Sequence, residues 1–106
     1  MYPFSNISQF KKALKPGLKM GCRLIYYNQN PENKELLPVV EERPIREIGR
    51  VQSNCFTLKT LIKGEWVESY CNFPKATECI VRNNTLIIYE ELVGRQLPVL
   101  EYWFEE

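Results

Sequence analysis

The stretch Ile45–Ile62, IREIGRVQSNCFTLKTLI, decides the fold class. Two β-prone runs flank Ser53-Asn54, a pair suited to a two-residue hairpin turn. With that turn, Val51 faces Phe56, Gly49 faces Leu58 and Ile45 faces Ile62. One face is then apolar. The other presents Arg46, Arg50, Thr57 and Lys59, interrupted by Ile48 and Leu61. Gly49 inside the first run points to a β-bulge or a sharp bend, a device that small barrels use to close.

The same period of two extends in both directions from this hairpin. Downstream, Lys63-Gly64 turns the chain into a strand over about 66–71, with Trp66 and Tyr70 on one face. Phe73-Pro74-Lys75-Ala76 reads as a tight turn or a single 3₁₀ turn. Asn83-Asn84 joins strands at about 77–82 and 85–90, setting Val81 against Leu86, Cys79 against Ile88 and Ile80 against Ile87. Both faces of that hairpin are apolar, so it is expected to be central or covered. A last strand spans about 99–104.

Upstream, residues 18–27 alternate as a half-buried strand, whereas 28–44, with Pro31, Pro38 and Pro44, reads as a long loop holding at most a short edge segment at Leu37–Val40. A helix is expected over about 6–15. Ser5 and Asn6 are suitable caps, Ile7, Phe10 and Leu14 form one apolar stripe, and Pro16-Gly17 ends it. One domain over 1–106 follows, mainly β, as a small SH3-like or OB-like bent antiparallel barrel with a short N-terminal helix. A flat antiparallel sheet with the helix on one face is the alternative.

Composition narrows the chemistry. A chain of 106 residues has room for one core. It contains neither histidine nor aspartate. The commonest general acid–base group is therefore missing, and a Ser–His–Asp or Cys–His arrangement cannot be built within the chain. Its four cysteines, Cys22, Cys55, Cys71 and Cys79, have no CxxC spacing and read as small buried hydrophobes rather than metal ligands. No catalytic residue, metal or cofactor is expected. No apolar run reaches the roughly 20 residues a membrane helix needs, and no secretory signal precedes the helix, so a soluble cytoplasmic protein is the expectation.

Net charge is +1 but uneven. Residues 1–27 carry Lys11, Lys12, Lys15, Lys19 and Arg23 with no acid, a local +5, which leaves −4 for the rest. That polarity either steers a charged partner or reflects two complementary surfaces of one fold. The candidate contact surface is the Arg46, Arg50 and Lys59 face, with Lys75, Lys11 and Lys12 nearby and Tyr26, Tyr27 or Tyr70 as stacking groups for bases. The competing reading is a solvated face whose arginines pair with Glu47, Glu68 or Glu78. Exposed aromatics with the 28–43 loop make a protein-binding surface the second candidate. The strand 99–104, VLEYWF, offers either an edge for a homodimer or a seam that closes the barrel.

The order of a short helix ending FKKALK, a strand, a long loop, Arg46–Thr60 and the turn Phe73–Ala76 resembles small uncharacterised proteins of phages, prophages and plasmids of Gram-positive bacteria. This chain departs from their pattern by separating Trp66 from the FPKA turn and by an insertion around Asn28–Arg43. The resemblance implies a mobile-element accessory protein in a bacterial host cell, including the class that inhibits host-defence nucleases. The expected function is a non-enzymatic binding module acting by protein–protein contact. A protein partner is favoured over nucleic acid because net charge is near neutral. The alternative is nucleic-acid binding by the basic outer face of the 45–62 hairpin.

Overall fold

The computed structural model describes residues 3–105. The chain runs α1 (Ile7–Ala13), β1 (Lys19–Gln29), β2 (Leu36–Glu42), β3 (Arg46–Val51), β4 (Cys55–Ile62), β5 (Glu65–Asn72), a 3₁₀ turn (Ala76–Glu78), β6 (Cys79–Arg82), β7 (Thr85–Leu92) and β8 (Arg95–Glu105). All pairings are antiparallel in one sheet ordered β5-β4-β3-β1-β8-β7-β6, with β2 also on β1. Strands β2 and β3 share one edge of β1: Arg23–Gln29 pair with β2, whereas Lys19 and Met20 pair with β3. Pro44 lies in the break between them. No ladder joins β5 to β6, so the sheet stays open where a closed barrel was expected.

Helix α1 covers the inner face of this sheet. The Asn6 side chain caps it by accepting from the Gln9 N–H at 2.9 Å. Seven residues are too few for a helix to persist on its own in water, so docking must hold it. Phe10 supplies that docking, fully buried among Phe4, Phe56, Tyr102 and Phe104. Met20, Cys22, Ile48, Leu58 and Leu86 complete the core beneath. On the outer face the indole of Trp103 sits over Gly21, where a Cβ would run into the ring. Only glycine fits there.

Three turns, Lys63-Gly64, Asn83-Asn84 and Val93-Gly94, have positive φ at both positions, the conformation that matches the twist of a two-residue hairpin. The Asn83-Asn84 hairpin has the expected register at all three pairs. It is not central, but α1 lies against β6 and covers it on the inner face. β7 is flanked on both sides, but β6 is a sheet edge whose Ile80 is exposed on the outer face. Residues 28–44 also differ from expectation. β1 runs on to Gln29, the chain turns through 30–35, and the full-length strand β2 returns along it. A proline within it, Pro38, is tolerated because β2 has a free edge among the described residues. Finally, residues 99–104 belong to β8, which is paired with β1 on one side and β7 on the other. They offer no edge to a second copy.

Candidate functional site: the outer face of β3, β4 and β5

The bulge at Gly49 shapes this face. Val51 does face Phe56, but the register then shifts, so that Ile48 pairs with Leu58 and Glu47 with Lys59. Gly49 does not face Leu58. A shift of one residue exchanges the two faces of a strand. Ile48 therefore turns into the core, fully buried, and Arg46 goes inward with it, opposite Met20. The buried Nε of Arg46 has no hydrogen-bond partner among the described residues. Arg46 thus leaves the expected basic face.

The bulge takes Arg50 out of the ladder, and side chains compensate. The Arg50 backbone N–H donates to the Thr57 hydroxyl at 2.8 Å, and that hydroxyl donates to Glu68 at 2.8 Å. Glu68 pairs in turn with the Arg50 guanidinium at 3.2 Å, which also donates to the Tyr70 hydroxyl at 2.7 Å. The ring closes on itself. Gly49 is required because a Cβ would lie 2.5 Å from the Glu68 carboxylate and 2.7 Å from the Thr57 oxygen. The Thr57 hydrogen bond, reinforced by the charge of Arg50, holds the Glu68 carboxyl below its ordinary range.

Replacing Thr57 with valine should cost about 0.5–1.5 kcal/mol, because the part-buried Arg50 N–H loses its acceptor while Glu68 loses a donor. Glu68 titrates lower in the folded chain than in the unfolded one, so its contribution is full above the unfolded carboxylate range and disappears as pH falls through the folded value. Urea melts at neutral and acidic pH should therefore show the Thr57→Val deficit shrinking on acidification. An equal deficit at both would contradict the network.

Lys59 is paired with Glu47 at 3.3 Å. Farther along the same face Arg23 is held by Glu42 and Glu101, each at 2.6 Å, and stacks over Trp103. Lys19 lies opposite Glu105. Two of the five cations at the start of the chain, Lys19 and Arg23, therefore lie on β1 beside the acidic β8, where Arg23 pairs with Glu101.

The remaining candidates are dispersed. Lys11 sits over the Phe73 ring at 4.8 Å and lines a cleft with Lys75 beside the 3₁₀ turn. The Lys75 N–H is capped by Glu78 at 2.8 Å. Lys12 is exposed on the helix. Tyr26 and Tyr27 lie seven and eight residues beyond Lys19 on β1, roughly 25 Å along the strand. They point to opposite faces, and the Tyr27 hydroxyl donates to the Pro98 carbonyl at 2.7 Å. Of the expected set, Arg50 and Lys59 share one surface, joined there by Tyr70.

Trp66 and Tyr70 share this face as expected, and Ile45 and Leu61 join them there. Ile45, Leu61 and Trp66 line one open cleft of about 570 Å³ with Pro44, Lys19 and Lys59. Leu61 pairs with Trp66 across the ladder, and both are exposed, at 57% and 66%. Tyr70 is 61% exposed two positions from Glu68 on the same face. The available signal for the cleft was Leu61 itself, an apolar residue among the polar positions of its strand.

Burial pushes Cys22, Cys71 and Cys79 above the usual thiol range, and burial likewise raises the Tyr102 hydroxyl. Among the described residues no group of three or more cysteines or glutamates is placed to hold a metal ion. No helix among the described residues is long and apolar enough to cross a membrane. Comparison with protein-family models, with curated proteins and with solved structures gives no match.

Proposed function

We propose that the chain is a non-enzymatic binding module that engages a protein partner through the outer face of β3, β4 and β5. The observation that carries this reading is the union, on one surface, of exposed Ile45, Leu61, Trp66 and Tyr70 with cations already neutralised by Glu47 and Glu68. Tryptophan, tyrosine and arginine are the residues that anchor protein interfaces. A mobile-element accessory role, with a host-defence nuclease as the partner class, is the narrower form of this proposal and rests on the resemblance alone. A small-barrel kinship of the SH3-like or OB-like kind belongs to the same proposal. The bulge at Gly49 and the 3₁₀ turn ahead of β6 support it.

Direct nucleic-acid binding through Arg50 and Lys59 is the second reading. It is disfavoured because each of these side chains already carries a carboxylate partner that phosphate would have to displace. Titration of a fluorescent single-stranded oligonucleotide at low salt separates the two. Protein recognition predicts no saturable binding. Binding that weakens steeply with added salt and disappears in an Arg50→Glu/Lys59→Glu variant would overturn it.

A further inference from the structure

The described residues leave three strand edges unpaired, on β2, β6 and β5. Edges invite pairing with other chains, and natural sheets guard them with proline, charge, brevity or a covering element. β2 carries Pro38 and ends in Glu41 and Glu42. β6 has four residues, and α1 lies against it. β5 has no proline, is not short and has no covering element among the described residues; its only charges are Glu65 and Glu68. Its eight residues, EWVESYCN, contain no proline, glycine or lysine and pair with β4 in an unbroken register.

The turn fixes which backbone groups are free. Ile62 and Glu65 flank the two-residue turn Lys63-Gly64, so they form a hydrogen-bonded pair. Alternation then directs residues 65, 67, 69 and 71 toward β4. The N–H and C=O groups of Trp66, Glu68, Tyr70 and Asn72 point away from the sheet.

We propose that this edge pairs with β5 of a second copy, antiparallel about a two-fold axis through Ser69. A continuous sheet requires outer-face residues to meet outer-face residues. An axis through Glu68 satisfies that but sets Glu68 directly against Glu68, which is repulsive. An axis through Ser69 sets Glu68 against the partner's Tyr70, whose hydroxyl holds the Arg50 guanidinium. The carboxylate of each copy then meets the cation of the other, at both symmetry-related positions. Trp66 meets Asn72, Val67 meets Cys71, and the small, exposed Ser69 lies on the axis. The contact is isologous and closes at two copies.

Ser69 opposite Ser69 is a non-hydrogen-bonded pair with Cα atoms about 4.5 Å apart, within reach of a disulfide. The test combines sedimentation of the native chain with oxidation of a Ser69→Cys variant by diamide, which accepts the two electrons and two protons released by the joined thiols. The expected result is a concentration-dependent dimer and a reducible dimer band well above the native chain's background. A native chain that stays monomeric at its highest soluble concentration overturns the proposal, as does a dimer that Ser69→Cys fails to trap. The dimer is made by the β5 backbone edge, whereas the outer-face reading uses side chains, Trp66, Glu68 and Tyr70 being common to both. A trapped dimer that captures no protein overturns only the latter, and a partner-binding monomer overturns only the dimer.

Discussion

A Phe10→Ala chain should lose about 3–5 kcal/mol of stability, the usual cost of emptying a buried phenylalanine site. Domains of this size are stable by only about 5–15 kcal/mol, so a large part of the total is at stake. The effect is large because one ring holds two elements together. Phe10 stacks at 6.4 Å with Tyr102 from β8, meets Phe56 from β4 edge-on at 6.1 Å, and touches Phe4 and Phe104 at 5.2 and 5.5 Å. Removing it leaves a seven-residue helix with no other buried residue of its own, and only the buried C-cap Leu14 beside it. The open inner face of the sheet would then meet water. Urea unfolding followed by tryptophan fluorescence measures this directly. A loss below about 1 kcal/mol would mean that α1 does not seal the core.

The second large effect concerns binding rather than stability. Trp66→Ser should leave the urea midpoint nearly unchanged, because two-thirds of that residue already faces solvent. It should nonetheless weaken a protein partner by about 2–4 kcal/mol, the range expected of a tryptophan anchor, which is roughly 30- to 1,000-fold in affinity. Separating the two readouts matters, since a destabilised chain would lose its partner for trivial reasons. Trp66 suits the test because it lies on the rim of the cleft, outside the Thr57–Glu68–Arg50 ring that braces the bulge.

Much of the fold is readable along the chain. The hairpin at Asn83-Asn84 follows from two asparagines that tolerate positive φ between alternating apolar runs, and its register is as expected. Val51 against Phe56 follows from the Ser53-Asn54 turn. Gly49 marks a bulge, yet spacing alone does not say on which side of the glycine the register shifts. That single step moves Ile48 into the core and Arg46 off the basic face. β2 is concealed by Pro38 and by its exposed position, since an edge strand has little need of alternation. The place of VLEYWF is equally hidden. A strand apolar on both faces can lie at an edge or in the middle, and only the pairing with β1 and β7 decides.

The site was legible in its charges and only partly legible in its apolar part. Arg50 and Lys59 sit where alternation puts them. Their neutralisation by Glu68 and Glu47 depends on a cross-strand register that the bulge sets. Trp66 and Leu61 would read as core in any sheet with another layer on that side. They are surface residues here because the helix covers the opposite face.

The most direct test of protein recognition by this face is affinity purification from the native host, using the native chain and Trp66→Ser side by side, each with and without nuclease. The expected result is a stoichiometric protein partner that survives nuclease and is lost with Trp66→Ser. Recovery that vanishes on nuclease treatment, or a partner held equally by both chains, would contradict it.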